Sequence, residues 1–292
     1  MKNVALITGG ANGIGFEFAK IAFRDGYDLA LIDINKDGLE ARKNELAELG
    51  NGAINCLAIN LADNDAARQI FDWLTEEDLI VSILFNNAGF GNFGYFKETC
   101  WEKDEAMLKV HMLTTTHLTK LLLPGMLSRK SGRILNNASV AAFVPGPLMS
   151  TYHASKAYLL SFTQSLANEL KGTGLSATVL CPGMTKTGFA KANGNDDPNI
   201  KFNIATPETV ALFAYQAMMR GKSVAVPGFF NKLSAFLPRL LSRDRVTRMV
   251  GNIQRKNHAK RTDGALEPRH MQYATQPGTQ PLPIREASDS ST

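Results

Sequence analysis

Cysteine is scarce in this chain of 292 residues: Cys56, Cys100 and Cys181 are far apart and odd in number. None forms a Cys-x-x-Cys pair or has a histidine at metal-ligand spacing, which excludes a disulfide framework and a structural zinc site. The expectation is three reduced, buried thiols, no bound metal and a reducing, cytoplasmic setting. Long apolar runs are missing too, and the ~20 residues needed to cross a bilayer as a helix are nowhere assembled. The opening "MKNVALITGG" has one Lys and too short an apolar stretch for a signal peptide. Hydrophobic residues make up 44% of the chain, enough for one large α/β domain or two small ones.

Charge is unevenly spread. The net charge is +5, yet residues 222–262 hold ten Lys or Arg against one Asp, leaving −4 on the rest. The main body therefore offers no electrostatic reason to bind nucleic acid.

Short, nearly continuous Val/Ile/Leu-rich runs occur at 3–8, 28–33, 53–60, 79–87, 132–139, 175–182 and 223–228. Such runs fit strands buried on both faces. Helical periodicity fills the intervals at 14–25, 36–49, 64–75, 100–128, 153–171 and 207–220. This alternation predicts an α/β fold, a Rossmann-type doubly wound parallel sheet of about seven strands with helices on both faces. "TCWE" (99–102) has the pattern of a capping box, and Thr206 before Pro207 reads as a helix start. Three regions are expected: a dinucleotide-binding and catalytic domain over 1–228, a basic helical extension over 229–262, and a disordered, Pro/Gln/Ser-rich tail over 263–292.

The first predicted strand runs into "TGGANGIG" (Thr8, Gly9, Gly10, Ala11, Asn12, Gly13, Ile14, Gly15) and then an amphipathic helix. Glycines there permit a tight turn and close approach of backbone N–H groups to a pyrophosphate at the helix N-terminus. Asp33 ends the second strand 18 residues after Gly15, where its carboxylate can accept from ribose hydroxyls and repel a 2′-phosphate. Neither Asn12 nor Ile34 supplies a cation for such a phosphate, so NAD is favoured over NADP. Further on, Tyr152 and Lys156 in "TYHASKAYLLSF" are spaced i, i+4, which brings them to one helix face with Cβ atoms ~5–6 Å apart. An ammonium there biases a phenol toward ionisation; the plain alternative is a packed Tyr with a snorkelling Lys.

In combination, "TGGANGIG", "NNAG" (86–89), Ser139, "YHASK" (152–156) and "CPGMTKT" (181–187) resemble the short-chain dehydrogenase/reductase family over roughly residues 1–228. The resemblance implies an oxidoreductase in which Tyr152 is the general acid/base, Lys156 binds the nicotinamide ribose and lowers the Tyr pKa, and Ser139 hydrogen-bonds the substrate oxygen. It also implies that Asn86, Asn87, Ala88 and Gly89 support the central strand and line the adenosine side, and that Pro182, Gly183, Thr185 and Thr187 border the nicotinamide. Two positions depart from the family pattern. Asn60, beside Leu61, stands where Asp is usual near the adenine. His111 stands where the family has an active-site Asn that helps hold a water linked to the Lys; the imidazole either holds such a water or packs as a neutral core ring. His117, His153, His258 and His270 read as structural or solvated.

Phe90, Phe93, Phe143, Pro145, Met149 and Phe189, placed by the resemblance beside the nicotinamide, favour an apolar or bulky secondary alcohol or ketone as small-molecule substrate. An NADP-dependent carbonyl reductase and a nucleotide-binding sensor with little turnover are the alternatives. Family members commonly associate through their two long helices, here 100–128 and 153–171, so a homodimer or homotetramer is expected. In the extension, "PGFFNKLSAFLP" (227–238) is expected to cap the apolar pocket, while Val246, Met249, Val250 and Ile253 form a helical stripe among basic residues. That stripe suits a neighbouring subunit, weak peripheral contact with an anionic membrane, or the chain's own domain.

Overall fold

The computed structural model describes residues 3–189 and 204–264, the last five of these as backbone alone. The expected tail lies outside the described residues except for its first two positions, and so does His270. Seven strands, β1 (Val4–Thr8), β2 (Asp28–Asp33), β3 (Ile54–Ala58), β4 (Val81–Asn86), β5 (Gly132–Asn137), β6 (Leu175–Leu180) and β7 (Val224–Ala225), form one sheet in the order β3-β2-β1-β4-β5-β6-β7. Every pairing is parallel.

The run "VALIT" shows why its sequence is apolar at every position. Ala5 and Ile7 of β1 face a layer built with α1 (Gly13–Arg24) and α2 (Lys36–Ala47). Val4 and Leu6 face the opposite layer, built with α3 (Ala66–Glu76), α5 (Thr115–Arg129) and α6 (Ser150–Glu169). Side chains alternate along a strand, so covering both faces removes any polar position. A further helix, α7 (Pro207–Met219), packs on α1 within the first layer, where Phe18 meets Phe85 at 4.4 Å and Tyr215 at 5.5 Å between ring centroids. The Thr206 side chain accepts from the Thr209 N–H and Pro207 follows it, as expected of that helix start.

The predicted helix over 100–128 is divided. It begins as α4 (Trp101–Leu108), passes through a π-helical turn, Lys109–Thr114, and continues as α5. The expected capping box does not form: Cys100 is the N-cap, while the single proton of the Thr99 hydroxyl lies between two acceptors, Phe96 O at 3.1 Å and Asp104 Oδ2 at 3.0 Å. Cys100 is also exposed and Cys56 half-buried, against the expectation of three buried thiols; only Cys181 is buried.

After β7 come α8 (Phe229–Phe236), a 3-10 turn (Leu237–Leu240) and α9 (Arg243–Gly264). Among the described residues no helix is long and apolar enough to cross a membrane, and no cluster of His, Cys, Asp or Glu is fit to hold a metal ion.

Candidate active site

Strand order reverses between β1 and β4, so the loops leaving these two strands diverge and open a crevice at the sheet's C-terminal edge. Thr8 fastens its rim. The Thr8 hydroxyl accepts the N–H groups of Asn87 and Ala88 at 3.0 and 3.1 Å, and Asn87 Nδ2 donates back to the carbonyls of Thr8 and Gly9. Asn86 extends inward instead, donating to Asn136 Oδ1 at 2.8 Å, while Asn136 donates to Thr163. This buried ladder ties β4 and β5 to α6.

The glycine turn is as tight as its composition suggests. Gly9 and Gly13 have φ of 67° and 57°, and a Cβ on Gly15 would stand 2.2 Å from Gly9 O. Asn12, the N-cap of α1, makes no side-chain capping bond, so the first N–H groups of the helix remain available to an anion. Asp33 is fixed at the end of β2 by the N–H groups of Ala11 and Asn35, each at 3.0 Å. A cradle that excludes Cβ, an uncapped helix N-terminus and an anchored carboxylate together fit a dinucleotide: pyrophosphate at residues 9–15 and ribose at Asp33. Asn60 spends its amide on its own turn, donating to Asp63 and accepting from the Ala62 N–H, while the Leu61 carbonyl accepts from Thr114.

One cation near this rim is missed by inspecting only Asn12 and Ile34. Arg42, from α2, donates through Nε to Ala11 O at 3.2 Å, lies 4.6 Å over the Phe16 ring and pairs with Glu45. It is 31 residues from Ala11, and only folding of α2 against the turn brings it there.

Ser139, Tyr152, Lys156 and His111 converge between β5 and α6. Ser139 caps the 3-10 turn Val140–Phe143 by accepting the Ala141 N–H, and its hydroxyl also reaches the Tyr152 phenol. Tyr152 and Lys156 share one face of α6, the ammonium 5.7 Å from the phenol ring centroid. Lys156 Nζ donates to Asn137 O at 2.8 Å. Both side chains are almost wholly buried, at 7% and 4% exposure. At the end of β5, Asn137 Oδ1 is buried with no hydrogen-bond partner among the described residues.

Burial dominates the electrostatics of the pair. Burial pushes the Tyr152 phenol up to about 12, with Ser139's hydrogen bond opposing it, and burial pulls Lys156 down to about 7. Desolvation penalises each charged form, and a lysine near neutrality is a weak electrostatic partner. Of the protein's own groups, the Ser139 hydrogen bond is the one that opposes burial and favours the ionised phenol.

His111 is 1% exposed and sits in the π-helical turn. Its Nε2 accepts the Phe90 N–H at 3.3 Å, and its Nδ1 lies 2.9 Å from Ser155 Oγ. Both ring nitrogens are engaged by the protein, the arrangement of a neutral core ring whose polar atoms are satisfied. Burial, reinforced by Lys156, holds its pKa well below the ordinary value. His153 is structural, its Nδ1 donating to Val144 O.

The expected aromatic lining is only partly assembled. Phe189 lies 5.6 Å from the Tyr152 ring and Phe90 6.2 Å from His111. Phe143 instead packs on the core cluster of Ala138, Leu159 and Cys181, and Phe93 turns to His258. Pro145 is exposed, and Met149 Sδ lies 4.0 Å from Gln254 Nε2 of α9.

Residues 3–198 match the family described as short chain dehydrogenase. Over 239 residues the chain is 28% identical to ketoacyl reductase HetN of Nostoc sp. PCC 7120, covering 81% of this chain and 82% of that protein. It is 34% identical over 191 residues to very-long-chain 3-oxoacyl-CoA reductase of Pyrenophora tritici-repentis, covering 64% of this chain and only 56% of that protein. A solved structure of a short-chain dehydrogenase from Sphingobium yanoikuyae in complex with NADPH superposes with a TM-score of 0.73 at 27% identity, covering 82% and 95% of the two chains. The family match spans most of the parallel sheet and the glycine turn, Ser139 and Tyr-x-x-x-Lys in their expected order: the chain belongs to the short-chain dehydrogenase/reductase family of oxidoreductases.

Proposed function

We propose that this chain passes hydride between a nicotinamide cofactor and an apolar or bulky secondary alcohol or ketone. The observation that carries the reading is the meeting of Ser139, Tyr152 and Lys156 at the crevice that begins with the glycine turn. The cofactor supplies the hydride acceptor or donor. Ser139 orients the substrate oxygen, and Tyr152 holds the proton exchanged with it. Lys156, fixed by the Asn137 carbonyl, would hold the cofactor ribose. Pro182, Gly183, Thr185 and Thr187 would border the ring, and Asn87 to Gly89 would line the adenosine side. The two relatives named for ketoacyl and 3-oxoacyl reduction support a ketone on an acyl chain as the substrate class. Asp33 favours NAD.

Arg42 motivates a second reading, NADP dependence, because its guanidinium stands at the Ala11 turn beside Asp33. Against it, Arg42 is already engaged by Glu45. A homo-oligomer through α4–α5 and α6 is part of the proposal, supported by Trp101 and Leu113, which are 60% and 63% exposed.

The test is a panel of hydrophobic ketones and secondary alcohols read by nicotinamide absorbance, with Tyr152→Phe as comparison. General acid/base groups contribute about 10²–10⁴-fold, so Tyr152→Phe should lose that much kcat while keeping its thermal midpoint and nucleotide affinity. Retention of most turnover by Tyr152→Phe on the best substrate refutes the reading, and a nucleotide-binding chain inert toward the whole panel supports a sensor.

A further inference from the structure

The segment after β7 leaves its apolar side chains outside. Of α8, only Ala235 is buried; Phe229, Phe230, Leu233 and Phe236 are 73%, 50%, 40% and 52% exposed. The following turn adds Leu237, Leu240 and Leu241, at 46%, 67% and 40%. In α9, Val246 is buried and Val250 half-buried, but Met249 and Ile253 of the same predicted stripe are 57% and 47% exposed. The stripe is therefore split. Its inner side, with Gly251, Gln254 and His258, rests on Pro147, Met149, Phe93 and Tyr95, while the outer side faces away. Nor does "PGFFNKLSAFLP" bury its phenylalanines over the site; α8 touches the body through Ala235 and through Asn231, which fills the space beside Gly183.

Nine of the nineteen large apolar side chains exposed among the described residues fall between 229 and 253. Interspersed are Lys232, Arg239, Arg243, Arg245, Arg248, Arg255 and Lys256, all exposed, and none makes an ion pair among the described residues. The only acidic residue between 229 and 259 is Asp244. Clustered apolar exposure on this scale marks an interaction site, and the charge selects its occupant. A second copy meeting this face symmetrically would set seven cations against seven. A bilayer containing anionic lipid offers hydrocarbon to the phenylalanines and leucines and negative headgroups to the arginines, the pairing used by interfacial helices.

We propose that residues 229–256 form a docking surface for an anionic lipid bilayer, with Phe229, Phe236 and Leu240 entering the headgroup boundary and the Lys and Arg side chains on the phosphates. The inner side of α9 lies on the 90–95 and 145–149 loops flanking the catalytic face, so docking sets the mouth of the site near the lipid surface.

The test uses the full 292-residue chain sedimented with vesicles of phosphatidylcholine alone or mixed with phosphatidylglycerol, at low and high salt. Binding to the mixed vesicles, weakened by salt, is expected. Each cation near a charged surface is worth about 1 kcal/mol, so Arg239→Gln/Arg243→Gln/Arg245→Gln should weaken partitioning by roughly a hundredfold or more. Phe229→Ser/Phe236→Ser/Leu240→Ser should abolish the binding that survives high salt. These positions are exposed, so thermal midpoints should stay near that of the unaltered chain. The proposal is overturned if the full chain stays in the supernatant, if it binds both vesicle types equally, or if the apolar variant binds as well as the parent. It is overturned equally if that variant instead lowers the mass of lipid-free protein while vesicle binding is absent, which would make the face a subunit contact.

Discussion

Ser155 fixes the protonation state of His111. The Ser155 hydroxyl donates to Tyr152 O at 2.8 Å, so it can only accept from His111 Nδ1, 2.9 Å away. The imidazole therefore carries its proton on Nδ1 and accepts the Phe90 N–H on Nε2. This neutral, buried ring bridges α6 to the chain just after β4, holding the two segments on which Tyr152 and Gly89 lie.

Removing both functions should cost more than shortening the ring. His111→Leu leaves the Phe90 N–H without an acceptor and Ser155 without its donor, at about 1–3 kcal/mol for each buried group left unsatisfied. His111→Asn keeps an acceptor and a donor in a smaller side chain and should lose less. Thermal midpoints measure the difference; a Leu variant as stable as the Asn variant would deny the ring its bridging role.

The same geometry makes the fold sensitive to acid. Burial holds both His111 and His153 below the ordinary histidine range. An unfolded histidine protonates near ~6.5, so below that pH the unfolded chain binds more protons and stability falls as pH falls, by up to about 1.4 kcal/mol per pH unit for each group. Lys156 acts with the same sign in a higher window. With a folded value of about 7 and an unfolded value of ~10.4, it makes stability rise with pH between the two. Denaturant melts at a series of pH values should show a loss below ~6.5 that is shallower in His111→Asn. An unchanged slope in that variant would mean that the ring titrates normally in the fold.

Much of the architecture is legible in the sequence because β1, β2 and β4 are covered on both faces, and a strand so covered has to be apolar throughout. The Tyr152–Lys156 pair is legible for a similar reason, since i, i+4 spacing has one geometric meaning on a helix. What escapes is set by contacts distant in sequence. Lys156 is held by a main-chain carbonyl, that of Asn137, which no side-chain pattern reports. Arg42 becomes a neighbour of Asp33 only through packing of α2. The π-helical turn that seats His111 adds a residue to one turn without any Gly or Pro to mark it. In α9 the hydrophobic spacing fits one stripe, yet packing buries Val246 and leaves Met249 outside.

Asp33 should dominate cofactor choice. Its two oxygens are held by Ala11 and Asn35 at the end of β2, where a 2′-phosphate would meet the carboxylate. NAD(H) is expected to be preferred, with Asp33→Ala narrowing the preference and Arg42→Ala widening it by removing the nearest cation at that turn. Fluorescence titration with both nucleotides reads this directly, and tighter NADPH binding by the unaltered chain would reverse the assignment.

Gly15 offers the sharpest test of the cradle itself. A Cβ there would come within 2.2 Å of Gly9 O and 2.5 Å of Asn87 Nδ2, and neither can withdraw easily. Gly9 is confined by its left-handed φ of 67°, and Asn87 is tied to the carbonyls of Thr8 and Gly9 and to Asn137. Gly15→Ala must therefore displace the turn from the α1 N-terminus, lowering the thermal midpoint and weakening nucleotide binding together. Gly188→Ala, where an added Cβ meets nothing within 4 Å among the described residues, serves as the control and should leave the midpoint unchanged. If Gly15→Ala instead bound nucleotide with the parent affinity, the close approach of helix and turn would not be what forms the pyrophosphate site, and the proposed cofactor position would have to be abandoned.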